Sequence, residues 1–360
     1  MRRDDAGVSD LLIVGAGIIG IMTAWRAHER YPGGRIIIVD AGQVGGVASS
    51  MSGGHCQPFG RTAEIRAAAQ SSIQFYLDLR RQFSDLPFKE MSLTAIGSRT
   101  RLETLKEYYM NPAATVLDEA STRDHLLKMG LRSRENQCAL VGIASFVGDV
   151  GQVVKCLSDD LRSTGSTEVW TCVKVTQIER TEEGPYKVSL LDGRVLFSRQ
   201  IVVAAGACIA DVLLPKPIVP PDVRVKKLVS VFVKCELPED APGIFCEDED
   251  VGFFPRPSLK GWLLSIRSPV WEPTPDRLVL EKEDMDVAFE VLRTYAPDML
   301  ARCAGGWVSH EPFTADRVPL VKADDSLPGL AVVGACSGFG FRVSPALAQL
   351  ALNAIGWPSH

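Results

Sequence analysis

Gly15, Gly17 and Gly20 punctuate the stretch Gly15-Ala16-Gly17-Ile18-Ile19-Gly20, and an acid, Asp40, closes the apolar run that comes next. Residues of these types at this spacing can hold a dinucleotide. The first glycine permits a tight turn, the second lets the main chain approach a pyrophosphate, and the third allows a helix to pack closely on a strand. Ile18 and Ile19 then open a helix whose N-terminal N–H groups and dipole favour phosphate. Asp40, with Ala41 beside it, is placed to accept hydrogen bonds from ribose hydroxyls. The pattern serves NAD and FAD alike.

Two further glycine-rich stretches invite chemistry. Residues 45–55 are small and polar, with Ala48, Ser49, Ser50, Ser52, Gly53 and Gly54 leading to His55. Hydroxyls and free N–H groups of this kind can be set against phosphates and a ring system. Near the C-terminus, Cys336-Ser337-Gly338-Phe339-Gly340-Phe341-Arg342 runs towards a helix, with its N-cap predicted at Ser344 and Pro345 in the first helical position. A glycine loop meeting a helix start suits negative charge. Trp307 and His310 read either as cavity lining or as packing residues.

The elements needed to position these residues are legible in outline. Leu11-Leu12-Ile13-Val14 and Ile36-Ile37-Ile38-Val39 read as parallel strands buried on both faces, flanking the helix that Pro32-Gly33-Gly34 ends. Residues 169–178 read as one strand. Residues 186–191 and 194–198 form a hairpin around the two-residue signal Asp192-Gly193, so a three-stranded meander is predicted. Residues 200–207 read as a separate buried strand that enters a glycine turn at Ala205 and Gly206. Helices are predicted over 152–163, ended by Gly165, and over 284–295.

Composition narrows the function classes. A chain of 360 residues exceeds one ordinary domain, so two are expected. Net charge is -5 and no basic stripe stands out, which argues against a nucleic-acid partner. The nine cysteines form no CxxC pair, so no metal site or disulfide framework is signalled, and a reducing, cytoplasmic location is expected. The apolar stretch 11–25 is too short to span a bilayer, and no membrane span or targeting segment is predicted.

On these motifs the chain resembles the D-amino-acid-oxidase (DAO) superfamily of FAD-dependent oxidoreductases, near its sarcosine oxidase and glycine oxidase branch. The likeness is carried by the N-terminal glycine unit, the 45–55 loop, Val202-Val203-Ala204-Ala205-Gly206-Ala207, Thr314-Ala315-Asp316-Arg317-Val318-Pro319, and Ser337-Gly338-Phe339-Gly340-Phe341. It implies an α/β fold with a discontinuous, Rossmann-like FAD-binding domain drawn from residues 1–70, 141–210 and 306–360. A second, mixed-sheet substrate domain with helices on one face would come from 71–140 and 211–305, joined by a linker rich in proline (Pro215, Pro217, Pro220, Pro221). It also implies FAD as cofactor, with further contacts at Val175, Ala205, Gly206 and from Gly338 through Arg342.

The implied reaction is oxidation of a C–N bond in a small amine or amino acid: hydride passes from the carbon beside nitrogen to flavin N5, and the imine left behind is hydrolysed. Dioxygen or another electron acceptor would complete the cycle. A same-fold dehydrogenase with a non-oxygen acceptor, a non-catalytic flavin-binding assembly protein and an NAD-dependent dehydrogenase stand as alternatives. Arg342, His55 and Glu311 are the catalytic candidates. Glycine-oxidase-like relatives carry a carboxylate-binding arginine where this chain has Glu311, so that recognition mode is lost here, and Glu311 would suit a cationic amine instead. Sarcosine-oxidase-like relatives use a lysine at the position of Arg342, which keeps the charge and can form a bidentate pair. Arg66 and Arg267 are secondary candidates for an acidic group. Ser309 stands where those relatives attach flavin through cysteine, so non-covalent FAD is expected, with His55 or a nearby cysteine as an alternative linkage point. Phe339 replaces a histidine, and the lysine associated with oxygen activation has no clear match.

Overall fold

The computed structural model describes residues 7–109, 114–182, 184–256, 260–274 and 278–358. The chain runs β1 (Ser9–Val14), α1 (Ile18–Arg30), β2 (Ile36–Val39), β3 (His55–Cys56), α2 (Ala63–Gln82), β4 (Phe88–Ser98), α3 (Leu102–Tyr109), β5 (Thr115–Leu117), α4 (Glu119–Leu127), β6 (Gln137–Gly148) and α5 (Val150–Ser163). It continues through β7 (Thr167–Trp170), β8 (Val175–Arg180), β9 (Tyr186–Leu190), β10 (Val195–Val203), β11 (Arg224–Lys234), β12 (Gly243–Cys246), β13 (Val251–Arg256) and β14 (Gly261–Ile266). The last elements are α6 (Lys282–Tyr295), β15 (Cys303–Phe313), β16 (Leu320–Ala323), β17 (Leu330–Gly334) and α7 (Gly340–Ala354).

These elements build an α/β fold with two mixed sheets. In the first, the order is β16-β17-β10-β1-β2-β7, with β9 attached to β10 and β8 to β9. Strand β1 lies parallel to both β2 and β10. Its residues alternate between two cores, as a strand covered on both faces requires. Leu11 and Ile13 pack among residues of α1, α5 and α7, while Leu12 and Val14 pack with Val175, Ile178, Tyr186 and Val188 of the meander on the opposite face.

Two strand expectations need correcting. The single strand predicted over 169–178 is two, β7 in the parallel sheet and β8 in the meander. Between them Cys172 adopts a φ of 58, and Cys172 and Val173 donate main-chain hydrogen bonds to Gly42 and Asp40, which hold the bend against the end of β2. Conversely, residues 194–198 and 200–207 do not form separate strands. Their shared strand β10 pairs antiparallel with β9 along its first half and lies parallel between β1 and β17 along its second. The hairpin turn holds three residues rather than two: Leu190 N bonds Arg194 O, and Gly193 takes the left-handed position at φ 86.

The second sheet has the order β15-β11-β14-β13-β12-β4-β6-β3, with β5 on β6. Among the described residues, only the β12–β4 pair of this sheet is parallel. Residues 141–148 and 306–313 lie in β6 and β15 of this sheet. Helices sit on both of its faces, not on one. Leu126 of α4 and Leu292 of α6 pack with Ile96, Val229 and Val231, whereas Leu105 and Tyr109 of α3 join Leu93, Ala95 and Leu140 on the other face. Strand β11 shows the alternation most usefully: Val229, Val231 and Val233 enter the core, and Lys226, Leu228 and Ser230 face a cavity between the sheets.

Helix α7 corrects a further expectation. It begins at Gly340, with Phe339 at the N-cap, so Ser344 and Pro345 lie inside it. Proline has no N–H, which leaves the carbonyl four residues back without its helical donor. That carbonyl belongs to Phe341, and it accepts from the Tyr76 hydroxyl at 2.8 Å and from Ser344 Oγ at 3.2 Å. A donor from α2 thus lets the helix start earlier, directly at the glycine loop.

Candidate active site

A cavity of about 320 Å³ lies between the sheets. One end is the α1 N-terminus with the loop that follows β2. Gly15, at φ 109, allows the turn, and a Cβ there would lie 2.2 Å from Ala204 O. A Cβ on Gly20 would lie 1.9 Å from Gly15 O. A Cβ on Gly17 would meet only Ser49 Oγ, at 3.3 Å, so the main chain is bare on that side. The N-cap residue of α1, Gly17, has no side chain to cap it, and the first turn has no acid. Ser49 Oγ accepts from Ile18 N at 3.0 Å. The remaining N–H groups and the dipole are therefore open to an anion.

Gly17, Ile18, Ile19, Ala48, Ser49, Ser52, Gly53, Gly54, His55 and Gly206 line this cavity, as do Glu311 and the run from Gly338 through Arg342. Gly15, Gly20, Asp40, Ala41, Ser50, Val175 and Ala205 do not. Gly15 and Gly20 shape the turn behind it, and Val175 is buried in β8. Asp40 holds the turn as well: its carboxylate accepts from Ala16 N at 2.6 Å and Gly42 N at 2.7 Å, leaving further lone pairs for a ribose.

The other end is built from aromatic and charged side chains. His55 is buried and stacks on Phe254 with ring centroids 4.1 Å apart. Neither ring nitrogen has a partner among the described residues, and burial, with Arg256 and Arg342 nearby, lowers its pKa to about 3. It is neutral at any physiological pH. Arg342 is only 8% exposed, its guanidinium flanked by Phe59 at 5.2 Å and Phe339 at 5.0 Å. Its Nε and Nη1 have no hydrogen-bond partner among the described residues.

Beside Arg342 lie three residues that sequence reasoning missed: Arg61, Tyr109 and Glu247. The Tyr109 hydroxyl donates to Glu247 Oε1 at 2.6 Å, while Oε2 has no partner among the described residues. Burial raises the Glu247 carboxyl, and Arg61 and Arg342 oppose that. No local motif marks this group. Glu247 sits in the run Cys246-Glu247-Asp248-Glu249-Asp250, which reads as a solvated acidic turn. Arg66, a sequence candidate, is placed elsewhere: in α2 it bonds Gly60 O and pairs with Glu107 at 3.3 Å, and Arg61, just before that helix, lines the cavity instead. Arg267 and His310 line the cavity, but Trp307 packs on Phe232.

Residues 10–354 match the family model DAO, FAD dependent oxidoreductase. The chain belongs to this family. Its cofactor is FAD, and the residues present fit that group: a turn closed to side chains at Gly15 and Gly20, a helix start with a bare glycine at its N-cap, and buried polar atoms of His55, Ser337 and Arg342 without hydrogen-bond partners among the described residues. No curated protein matches the sequence. Among solved structures, glycine oxidase from Geobacillus kaustophilus is similar with a TM-score of 0.80 at 18% identity, covering 98% of this chain and 95% of that one. L-alpha-glycerophosphate oxidase from Mycoplasma pneumoniae with FAD bound gives 0.82 at 17%, covering 98% and 97%. L-proline dehydrogenase from P.horikoshii gives 0.81 at 14%, covering 97% and 94%. At these identities the likeness is one of fold. Among the described residues, no helix of this DAO-family chain is long and apolar enough to cross a membrane.

Glu311 supplies a prediction of its own. It accepts from Gly338 N at 3.1 Å, yet burial raises its carboxyl from 4.5 to about 7. A group whose pKa is raised on folding binds more protons folded than unfolded between those values, so stability falls as pH rises from about 4.5 to about 7. Glu311→Gln keeps an acceptor for Gly338 and removes the charge. The melting temperature of this variant is expected to match wild type at pH 5 and to exceed it at pH 8. An equal difference at both values would contradict the assignment.

Proposed function

We propose that the chain oxidises the C–N bond of a small amino acid whose carboxylate is held by Arg342. One observation carries this reading: a buried guanidinium faces the cavity with Nε and Nη1 unpartnered among the described residues. A buried cation without an ion partner is costly, and a bidentate carboxylate is the group that best matches its fork. Glycine oxidase and L-proline dehydrogenase, two of the similar structures, are named for amino-acid substrates, which supports the same class here.

Glu247 complements Arg342. In an α-amino acid the carboxylate and the nitrogen are two bonds apart, so an acid close to the carboxylate anchor meets the ammonium. Glu247 Oε2, oriented by Tyr109 through Oε1, accepts the ammonium proton and leaves the neutral amine that oxidation requires. Arg61 adds positive charge to the same corner. Phe59, Phe254, Phe339 and Phe341 keep the surroundings apolar, which strengthens these interactions. FAD, when bound, supplies the two-electron acceptor. Non-covalent attachment is expected, because burial pushes the Cys336 thiol far above its ordinary range and Cys56 to about 12, so neither offers a thiolate.

The test is anaerobic mixing of the holoenzyme with glycine, N-methyl amino acids, cyclic amino acids, neutral amines and glycerol phosphate. The expected result is bleaching of the flavin absorbance by an amino acid. Bleaching by glycerol phosphate alone would overturn the C–N assignment, as would no bleaching by any amine. Subsequent aeration identifies the acceptor: rapid return of the absorbance with peroxide marks an oxidase, slow return a dehydrogenase.

A further inference from the structure

The cavity has a second charged wall, remote in sequence from the Arg342 corner. Two adjacent lysines on β11 are both buried, Lys226 at 5% exposure and Lys227 at 0%. They point to opposite sides of the sheet and are treated differently. Lys227 Nζ is held by Glu281 and Asp284, each at 2.7 Å. Lys226 faces the cavity, and no carboxylate among the described residues pairs with it. Its Nζ lies 5.4 Å from the Trp271 ring and 5.5 Å from the Phe313 ring. Its cross-strand neighbour Glu311 is engaged with Gly338 N.

The charged groups that bear on Lys226 are Asp250, Arg267 and Arg317, all cavity-lining. Burial works against the ammonium, Asp250 supports it, and the two arginines oppose it. Apart from Glu311, which is held at Gly338 N, one acid therefore faces three cations on this wall. Aromatic rings stabilise a desolvated ammonium only in part, and a buried cation beside two more cations calls for an anion. Trp271, 39% exposed, marks the solvent side of this wall.

We propose that this wall receives a second anionic group of the substrate, so that the enzyme acts on an amino acid bearing an acidic side group, with Lys226 determining specificity. The idea rests on the reading that Arg342 holds the first carboxylate. The second group is a carboxylate or a phosphate-type oxyanion, since both share the chemistry that a lysine flanked by arginines recognises.

The experiment titrates FAD-loaded protein with non-reacting acids and follows the flavin absorbance. The probes are butyrate, the dicarboxylates from succinate to suberate, and 4-phosphonobutyrate. The expected result is that one dicarboxylate length binds about tenfold or more tighter than butyrate, the gain of one desolvated charge-assisted contact. In Lys226→Met that preference collapses towards one. Arg267→Gln, at an exposed position, reduces it in part and serves if the first variant does not fold. Tighter binding by phosphonobutyrate than by every dicarboxylate would identify the second group as phosphate-like. If butyrate binds and no diacid binds better, this proposal falls while the Arg342 reading stands. If no acid perturbs the flavin, both fall. Loss of FAD in Lys226→Met with unchanged diacid preference in Arg267→Gln would place the lysine in the cofactor site and overturn the proposal.

Discussion

Gly17→Val protein is expected to purify without colour and to take up FAD at least about 100-fold more weakly than wild type, while keeping its far-UV circular dichroism. The magnitude follows from what the position does. Ser49 Oγ takes Ile18 N, but the N-cap residue Gly17 has no side chain and the first turn of α1 has no acid, so the N–H groups that follow are open to an anion. A Cβ at Gly17 lies 3.3 Å from Ser49 Oγ, the acceptor of Ile18 N, so a valine there crowds the helix start. Two charge-assisted hydrogen bonds lost at roughly 1.5–3 kcal/mol each correspond to two orders of magnitude or more. Gly20 cannot serve for this test, because a Cβ 1.9 Å from Gly15 O disturbs the fold itself. Gly17 has no such backbone neighbour, so folding and cofactor binding separate. A Gly17→Val variant that stays fully yellow after gel filtration would remove the α1 N-terminus from the pyrophosphate site. Equilibrium titration of the apoprotein with FAD measures the difference.

The parts of this molecule that a reader of its sequence can see are those whose physics is local. The glycine turn, the two flanking apolar runs and Asp40 lie within one stretch; Gly20 is required by the main chain of Gly15 and Gly15 by Ala204 at the end of the adjacent strand β10. Where a distant residue decides, local signals mislead. Ser344 and Pro345 carry the marks of a helix start, yet Tyr76 from α2 supplies the hydrogen bond that Pro345 removes, and α7 begins earlier. The bend at Cys172 has no glycine or proline to announce it. It is held by main-chain bonds to the end of β2, a contact visible only in three dimensions. The site shows the same division. Arg342 is visible because it follows a glycine loop, but Arg61, Tyr109 and Glu247 come from three separate segments and meet only through the folding of α3 and the β12–β13 turn against the 55–61 loop. Lys226 and Lys227 make the point sharply. They are indistinguishable as neighbours in sequence, and strand alternation sends one to an ion pair and the other to the cavity.

Arg342→Met should reduce the rate of anaerobic flavin reduction per unit concentration of amino acids by roughly 30- to 4000-fold, and that of neutral amines by only a few-fold. Removing one partner of a desolvated, hydrogen-bonded charge pair costs about 2–5 kcal/mol, much of it the penalty on the partner left behind. Under the proposed function the partner is the substrate carboxylate, which would meet an apolar slot between Phe59 and Phe339. Methionine fills that slot without adding a polar group, so the fold and its FAD content are preserved. A neutral amine never used the guanidinium, and for it the change is one of shape alone. Arg342→Lys adds a second distinction. It keeps the charge but loses the planar fork, so it should restore part of the loss for amino acids and little for amines. Equal losses for both substrate classes would assign Arg342 to packing or to the flavin. Full activity in the lysine variant would show that charge alone is read at this position.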